Sequence, residues 1–229
     1  MRSVQTKPYV AAEHEFEPQH GLPEPLPTGE RLVWQGGPRW TVLARRAFHA
    51  DKVTIYFAIL LAMRFATLLH DGAALGDALR ALGGWLLLAA TGVGLLLVLA
   101  WMSARSTVYT LTDRRIVMRI GIVLTVTYNL PLTRIHAADL RPFGRGNDGE
   151  IALALEPGTR IAWLHLWPHA RPWRIARPQP MLRALADGRT VSTLLADVWS
   201  QANGSAVRPA QRAAAPRSET TGRPSLATR

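Results

Sequence analysis

The sequence contains no cysteine, which excludes a disulfide framework, a thiolate metal site and a cysteine nucleophile. Acidic residues are also scarce: 16 Asp and Glu stand against 27 Lys and Arg, giving a formal net charge of +11. Such an excess indicates an anionic partner, whether nucleic acid, acidic lipid head groups or an acidic protein surface. Much of the excess lies beside the apolar runs and near the C-terminus. Anionic membrane lipids therefore explain it more simply than nucleic acid, and no nucleic-acid partner is expected.

Sequence signals for catalysis are missing too. There is no Gly-rich phosphate loop and no G-x-S-x-G motif. Four acidic residues fall at predicted turns and strand edges, where solvated charges are usual: Asp139, Asp148, Glu150 and Glu156. His165 and His169 have the i, i+4 spacing of helical metal ligands, but Pro168 lies between them in a strand-like segment. We therefore expect a protein that is not an enzyme and that holds no metal or cofactor.

The N-terminal residues 1–30 are predicted to be a disordered leader, because their prolines and glutamates provide nothing to bury in a core. They contain no apolar h-region, so no cleavable signal peptide is expected. Residues 29–35 are typical of a short strand, which the turn residues Gly36, Gly37 and Pro38 end. This strand begins a juxtamembrane segment that we assign to residues 31–52.

Two long apolar runs dominate the next part of the chain. Residues 53–69 and 85–102 each have about 17 or 18 residues, at the short end of what spans a bilayer core of about 30 Å. A helix satisfies its own backbone hydrogen bonds in lipid, so residues 53–102 predict a transmembrane helical hairpin. The alternative is the core of a soluble protein, which the lack of any charge in the second run disfavours.

The charges that flank these runs predict how the hairpin is oriented. Arg45, Arg46 and Lys52 precede the first helix, and Arg105 follows the second. The predicted connecting loop, residues 70–84, has Arg80 as its one Lys or Arg. By the positive-inside rule, we expect both termini in the cytoplasm of a bacterium, with the hairpin in its inner membrane.

Residues 105–203 predict a mostly β domain ended by a helix. Apolar residues alternate with Thr and Asn in residues 124–130, which favours strands over a third membrane helix across residues 116–135. We predict strands at residues 107–112, 116–120, 135–140, 150–156 and 160–166. Helical spacing begins at Leu182 and Leu185 and continues from Val191 to a helix end at Asn203 and Gly204. Residues 204–229 are predicted to be a disordered basic tail.

Several segments carry a resemblance to known proteins. The octet Y-T-L-T-D-R-R-I at residues 109–116, followed by Gly121 and by L-P-L-T-R-I at residues 130–135, resembles the bacterial PH-like (YdbS-type) domain of small membrane proteins. Three further segments narrow the resemblance: residues 26–36, 44–61 and 163–168. Together they are similar to the PuhB-like family of photosynthetic-complex assembly proteins of purple bacteria, over about residues 26–199.

This resemblance implies both a fold and a function. The fold would be a membrane helical hairpin plus an α+β, mostly β domain: a PH-like antiparallel β-sandwich or barrel capped by a C-terminal helix. The function would be that of a non-catalytic, membrane-anchored assembly factor for the photosynthetic reaction centre or core light-harvesting complex. Its partners would be reaction-centre or core-antenna subunits, and its location the intracytoplasmic membrane.

Arg64 is the first candidate for a functional contact. A charge within a membrane helix costs a few kcal/mol, so such residues are functional candidates by default. Arg64 is close enough to the end of the first helix to extend its side chain to the interface, and a salt bridge inside the membrane is the alternative.

The remaining candidates lie in residues 163–177, where indoles and guanidinium groups alternate. Trp and Arg often anchor protein interfaces and also lie at lipid head-group boundaries. We predict contact with a protein partner or lipid at Trp167, Arg171, Trp173 and Arg174. The alternative is ordinary packing, with Trp163 in the core and Trp173 covering the sheet.

Three further hypotheses remain open at this stage. A general lipid-binding or scaffolding protein unrelated to photosynthesis is the alternative to the assembly factor. A pigment carrier that uses His49 or His70 as an axial ligand is another. The small residues Gly92 and Gly94 predict close packing within the hairpin, and they also suit a homodimer.

Overall fold

The computed structural model describes residues 21, 22, 24–144, 146–156 and 161–204. The elements are β1 (Leu32–Gly36), α1 (Trp40–Arg46), α2 (Ala50–His70), α3 (Leu75–Ser106), β2 (Val108–Thr112), β3 (Arg115–Ile120), β4 (Val126–Pro131), β5 (Ile135–Pro142), β6 (Gly149–Leu155), α4 (Trp163–Leu166), β7 (Met181–Leu185) and α5 (Gly188–Asn203), with a 3₁₀ turn at Leu132–Arg134. Residues 1–20 and the predicted tail after Gly204 lie outside the described part.

Helices α2 and α3 form an antiparallel hairpin, and both are long and apolar enough to cross a membrane. A Cβ at Gly92 would lie 3.6 Å from the Phe57 ring of α2, an ordinary contact distance, and a Cβ at Gly94 would have no neighbour within 4 Å, so packing of the hairpin does not require glycine at either position. Helix α3 begins at Leu75, whereas the sequence analysis placed residues 70–84 in a loop. Hydropathy locates the segment that suits a bilayer core, and an exposed helical extension can continue beyond it. We call the turn at residues 71–74 the closed end of the hairpin and the other end the open end.

The β domain has two antiparallel sheets, with strand orders β1-β2-β3-β4 and β5-β6-β7. Its core is apolar and includes Tyr109, Met118, Ile151 and Leu153, all fully buried. Helix α5 packs against β5, β6 and the 3₁₀ turn, which confirms the predicted PH-like fold with its closing helix. Residues 116–135 form strands β3 and β4 and the 3₁₀ turn, so the alternative of a third membrane helix is wrong.

Two element predictions near the C-terminus are wrong. The predicted strand at residues 160–166 contains helix α4, and the helical turn expected at Leu182 and Leu185 is strand β7. The register explains the second error: Leu185 pairs with Gly149 and Leu182 with Ile151, so the two intervening residues of β7 oppose the single residue Glu150 of β6. This bulge turns both leucines into the core at a spacing of three, which imitates a helix.

The end of the predicted leader is ordered in the described residues. Leu22 is buried, and the Glu30 carboxylate accepts two hydrogen bonds from the Arg115 guanidinium, at 2.8 and 2.9 Å. The expectation that residues 1–30 bury nothing therefore does not hold for Leu22 and Glu30. A two-pronged arginine–carboxylate pair is geometrically specific, which explains how it holds this segment beside β3.

The start of α5 crosses β6 at two glycines, where the backbones are too close for side chains. A Cβ at Gly188 would lie 2.6 Å from both the Cα and the nitrogen of Gly149. Neither Gly149 nor Gly188 has a left-handed φ, so the requirement is for space rather than for conformation.

Gly188→Ala should therefore destabilise the protein, although alanine favours helices. Overpacking of this kind costs about 1–3 kcal/mol in the free energy of unfolding. Thermal unfolding of the full chain in detergent, followed by circular dichroism, measures the effect. Gly146→Ala is the control, since a Cβ there has no neighbour within 4 Å. Equal stability of the two variants would contradict the close approach.

Candidate functional site

Helix α1 joins the α2–α3 hairpin to the second sheet. Its buried residues Leu43 and Ala44 pack in one apolar cluster with Ala100 of α3 and Ala184 of β7. The Arg39 N–H at the start of α1 donates a hydrogen bond of 2.9 Å to the Ala184 carbonyl. We call this region, where α1 lies between α3 and β7, the junction.

A buried carboxylate lies at the centre of the junction. Glu150 of β6 is almost fully buried and contacts two arginines. Its Oε2 is 3.1 Å from Nη2 of Arg46, the last residue of α1, and its Oε1 is 3.4 Å from Nε of Arg183 in β7. Arg183 also donates to the carbonyl oxygens of Arg46 and Pro168, at 2.8 and 3.0 Å. One carboxylate therefore connects α1, β6 and β7.

A series of hydrogen bonds between uncharged groups connects the backbone of Arg183 to the end of α3. The Arg183 N–H donates to the Tyr109 hydroxyl at 3.3 Å, and that hydroxyl lies 2.6 Å from His169 Nδ1. His169 Nε2 lies 3.1 Å from Thr107 Oγ1, which donates to the Ser103 carbonyl at 2.7 Å. Every group is satisfied if Tyr109 donates to Nδ1 and Nε2 carries the proton of a neutral imidazole.

Burial determines the ionisation states of the two rings in this hydrogen-bond series, those of Tyr109 and His169. It lowers the pKa of His169 to about 3, with a smaller contribution from the positive charge of Arg183. It raises the pKa of Tyr109 well above its usual value. Both groups are therefore neutral near pH 7, which matches the hydrogen-bond directions.

These ionisation states predict a loss of stability in mild acid. Below pH 6.5 the unfolded chain binds a proton at His169 that the folded chain excludes down to a pH of about 3. The free energy of unfolding should fall by up to about 1.4 kcal/mol per pH unit in that window. Unfolding of the full chain between about pH 7 and about pH 5 measures the slope.

His169→Gln removes the titrating ring and should flatten the pH dependence. His165→Gln, at an exposed position four residues earlier, is the control and should keep the wild-type slope. An unchanged slope in His169→Gln would mean that another group is responsible.

The two histidine hypotheses from the sequence have different outcomes. His169 is buried and hydrogen-bonded to Thr107 and Tyr109, whereas His165 is exposed. The two rings therefore do not form a pair of metal ligands. No group of three His, Cys, Asp or Glu side chains comes together in the described residues. His49 and His70 lie at opposite ends of α2, so either one would act alone as the axial ligand of a pigment, and that hypothesis stays a prediction.

The structure separates the predicted contact residues. Arg64 is exposed on α2 and has no ion-pair partner among the described residues. Trp167 is 45% exposed and packs edge-on against Phe48, with ring centroids 5.1 Å apart. Arg171 is held by Asp139 at 3.1 Å and by the Gln179 side chain, also at 3.1 Å.

Trp173 and Arg174 are exposed as Arg64 is, and neither side chain has a hydrogen bond or ion pair among the described residues. Trp173 is 96% exposed, so the alternative in which it covers the sheet is wrong. Its φ of 62° is left-handed, which is uncommon and strained for a bulky residue. Ile175, in the same loop, is also largely exposed. We call residues 171–177 the Trp–Arg loop.

A second apolar loop lies at the open end of the hairpin. Strand β2 follows α3 directly, and β3 returns until Arg119 pairs with Val108. The turn at residues 121–125 therefore extends beyond the start of β2, beside the end of α3. Val123 and Leu124 in this turn are 88% and 82% exposed. We call residues 121–125 the β3–β4 tip.

Sequence reasoning missed the junction. Glu150 was interpreted as a solvated charge, and Tyr109 and Arg183 were given no polar role. The one available signal was composition: Glu150 precedes the apolar strand residues Ile151–Leu155, and Arg183 lies between leucines. Charged residues inside apolar strands are rarely buried unless they are paired.

Comparison with known proteins agrees with this architecture. Residues 56–156, from α2 through β6, match the family model described as a bacterial PH domain. The chain is 39% identical over 183 residues to a Rhodobacter capsulatus protein described as an uncharacterized 23.7 kDa protein in the puhA 5′ region. That alignment covers 80% of this chain and 86% of the relative. No solved structure matches. The chain therefore contains a bacterial PH domain and belongs to the same family as this Rhodobacter relative.

Proposed function

We propose that this protein is a non-catalytic, membrane-anchored assembly factor for the photosynthetic reaction centre or its core light-harvesting complex. The observation that carries the proposal is the similarity to the protein of the puhA 5′ region, because it associates the family with photosynthesis genes. The hairpin would hold the protein beside newly inserted subunits, and the β domain would contact a cytoplasmic segment of one of them.

The Trp–Arg loop supports a role in contact with a partner. The Trp173 side chain is exposed and its backbone conformation is strained, so this residue does not contribute to the stability of the isolated chain. Trp and Arg are the residue types that most often contribute strongly to binding. We assign Trp173 and Arg174 as the partner-contact residues, and Trp167 and Arg171 as residues that hold the loop.

This assignment predicts which variants lose the partner. Tagged full-length protein, purified from mildly solubilised membranes of a phototrophic host, should enrich reaction-centre or core-antenna subunits in mass spectrometry. The double variant Trp173→Ala/Arg174→Ala should reduce that enrichment about tenfold or more, since a single such anchor is worth roughly 2 kcal/mol.

A matched control removes an exposed apolar residue and an exposed arginine at the other end of the domain. Leu32→Ala/Arg134→Ala should leave the enrichment unchanged. Deletion of the gene should lower reaction-centre content in the same host. Normal pigment–protein levels in the deletion strain would refute the assembly role, and an equal loss in both double variants would refute the assigned surface.

The hairpin is proposed to cross the bacterial inner membrane with both termini in the cytoplasm. The supporting observations are the apolar helices and the basic residues at their open end. In this orientation the β3–β4 tip faces the cytoplasmic leaflet, and its exposed Val123 and Leu124 would enter the head-group region.

Because the chain has no cysteine, a single introduced thiol reports without background on whether the β3–β4 tip contacts lipid. A polarity-sensitive fluorophore on Val123→Cys should emit at shorter wavelength in lipid nanodiscs and should be quenched by brominated lipids. The same label on Thr133→Cys, at the opposite end of the β3–β4 pair, should behave as it does in water. Equal emission from both positions would refute the placement of the β3–β4 tip in the head-group region.

A further inference from the structure

A basic cavity of about 460 Å³ opens beside the junction. Its wall is formed by the end of α1, the start of α2, the end of β5, and residues of β6, β7 and the Trp–Arg loop. Six basic side chains line it: Arg45, Arg46, Lys52, Arg141, Arg171 and Arg183. The acidic side chains that line it are Asp51 and Glu150.

The basic side chains divide into two groups. Arg46 and Arg183 share Glu150, and Arg171 pairs with Asp139. Arg45, Lys52 and Arg141 have no carboxylate partner within 4.0 Å among the residues that the structure describes. We call these three the open cations. They are exposed, so the cavity presents them to whatever enters it.

The geometry favours an anion in this cavity. A concave wall of like charge focuses the electrostatic potential, and a bound anion relieves the repulsion. The start of α2 adds to the effect, because its N-cap residue His49 makes no side-chain hydrogen bond to the first helical N–H groups. Those N–H groups and the helix dipole favour a negative charge at this position. The carboxylate of Asp51, at the rim of the cavity, partly opposes the binding of an anion.

The position of the cavity identifies the source of the anion. Lys52 lies in the first turn of α2, where the chain enters the apolar segment. Trp173, a residue type enriched at membrane interfaces, lines the same opening. The volume is in the range of small-ligand sites, which suits one head group rather than a protein segment.

We propose that this cavity binds the phosphate of an anionic phospholipid head group from the cytoplasmic leaflet, through Arg45, Lys52 and Arg141. The proposal rests on the membrane anchoring of the proposed function and is independent of the role in photosynthesis. The bound lipid would fill the space between the hairpin and the β domain at the junction.

The test is lipid retention by the full-length protein. Protein is released from nanodiscs that contain phosphatidylcholine with a minor fraction of phosphatidylglycerol, and native mass spectrometry counts the lipids that stay bound. Wild-type protein should retain phosphatidylglycerol selectively. Lys52→Gln/Arg141→Gln should lower that retention roughly tenfold, because the variant removes two of the three basic contacts that the proposal assigns to the phosphate.

Two control variants separate the cavity from net charge and from folding. Arg114→Gln/Arg134→Gln makes the same change in charge at the opposite end of the domain and should retain lipid like the wild type. Lys52→Arg/Arg141→Lys keeps both charges and should restore retention. Arg141 lies opposite Glu150 in the β5–β6 ladder, but neither the Lys52 nor the Arg141 side chain is among the ion-pair partners of Glu150 in the described residues, so the thermal midpoints should agree.

Three outcomes would overturn the proposal. Equal loss of phosphatidylglycerol in the two charge-removing variants would show a general effect of charge. Saturable binding of inorganic phosphate to delipidated protein, with no preference for phosphatidylglycerol, would assign the cavity to a soluble phosphate. Displacement of the lipid by a glutamate-rich peptide, with the same dependence on Lys52 and Arg141, would assign it to an acidic protein segment. If the cavity does not bind the phospholipid, the co-purification test of Trp173 and Arg174 as partner-contact residues is unaffected.

Discussion

The arrangement of the protein depends on the buried carboxylate of Glu150. It is the counter-charge of Arg183, which is itself buried, and it also contacts Arg46 at the end of α1. Removal of one partner from a buried pair typically costs about 3–5 kcal/mol, because the other charge is left without compensation. The same principle means that the pair need not stabilise the fold relative to an apolar core. What it provides is a defined position for α1, and thus for the hairpin, against the second sheet.

The series of hydrogen bonds between uncharged groups, through Tyr109 and His169, is a second contact beside this charged one. It connects Arg183 to Thr107, the C-cap residue that follows α3. Two polar routes therefore join the hairpin to the β domain, one through α1 and one through the end of α3. A domain attached at two points cannot rotate freely about a single linker. The Trp–Arg loop and the β3–β4 tip are accordingly held on the side of the domain that carries the hairpin.

The sequence predicted the elements that local pattern determines. The two apolar helices, the β3–β4 pair with its turn at Gly121, and the closing helix were all foreseen, since each follows a period of 2 or 3.6 residues. Strand β7 was not, because a bulge opposite Glu150 changes its spacing. The candidate site was predicted only in part. Exposure of Trp173 and Arg174 agrees with a contact role, but pairing of Glu150 with Arg183, 33 residues later, depends on strand register that no local pattern reveals.

The junction and the basic cavity follow from one electrostatic constraint. Glu150 neutralises one charge, whereas Arg46 and Arg183 together bring two, so the surroundings of the pair remain positive. The open cations add to this excess instead of relieving it. In a soluble protein, repulsion of this kind would favour side chains that extend into water. If the hairpin crosses the membrane as proposed, the adjacent leaflet offers anionic head groups at high local concentration. An uncompensated positive cavity would then be stable in that location, and the same charge that appears excessive in the composition would position the domain on the membrane.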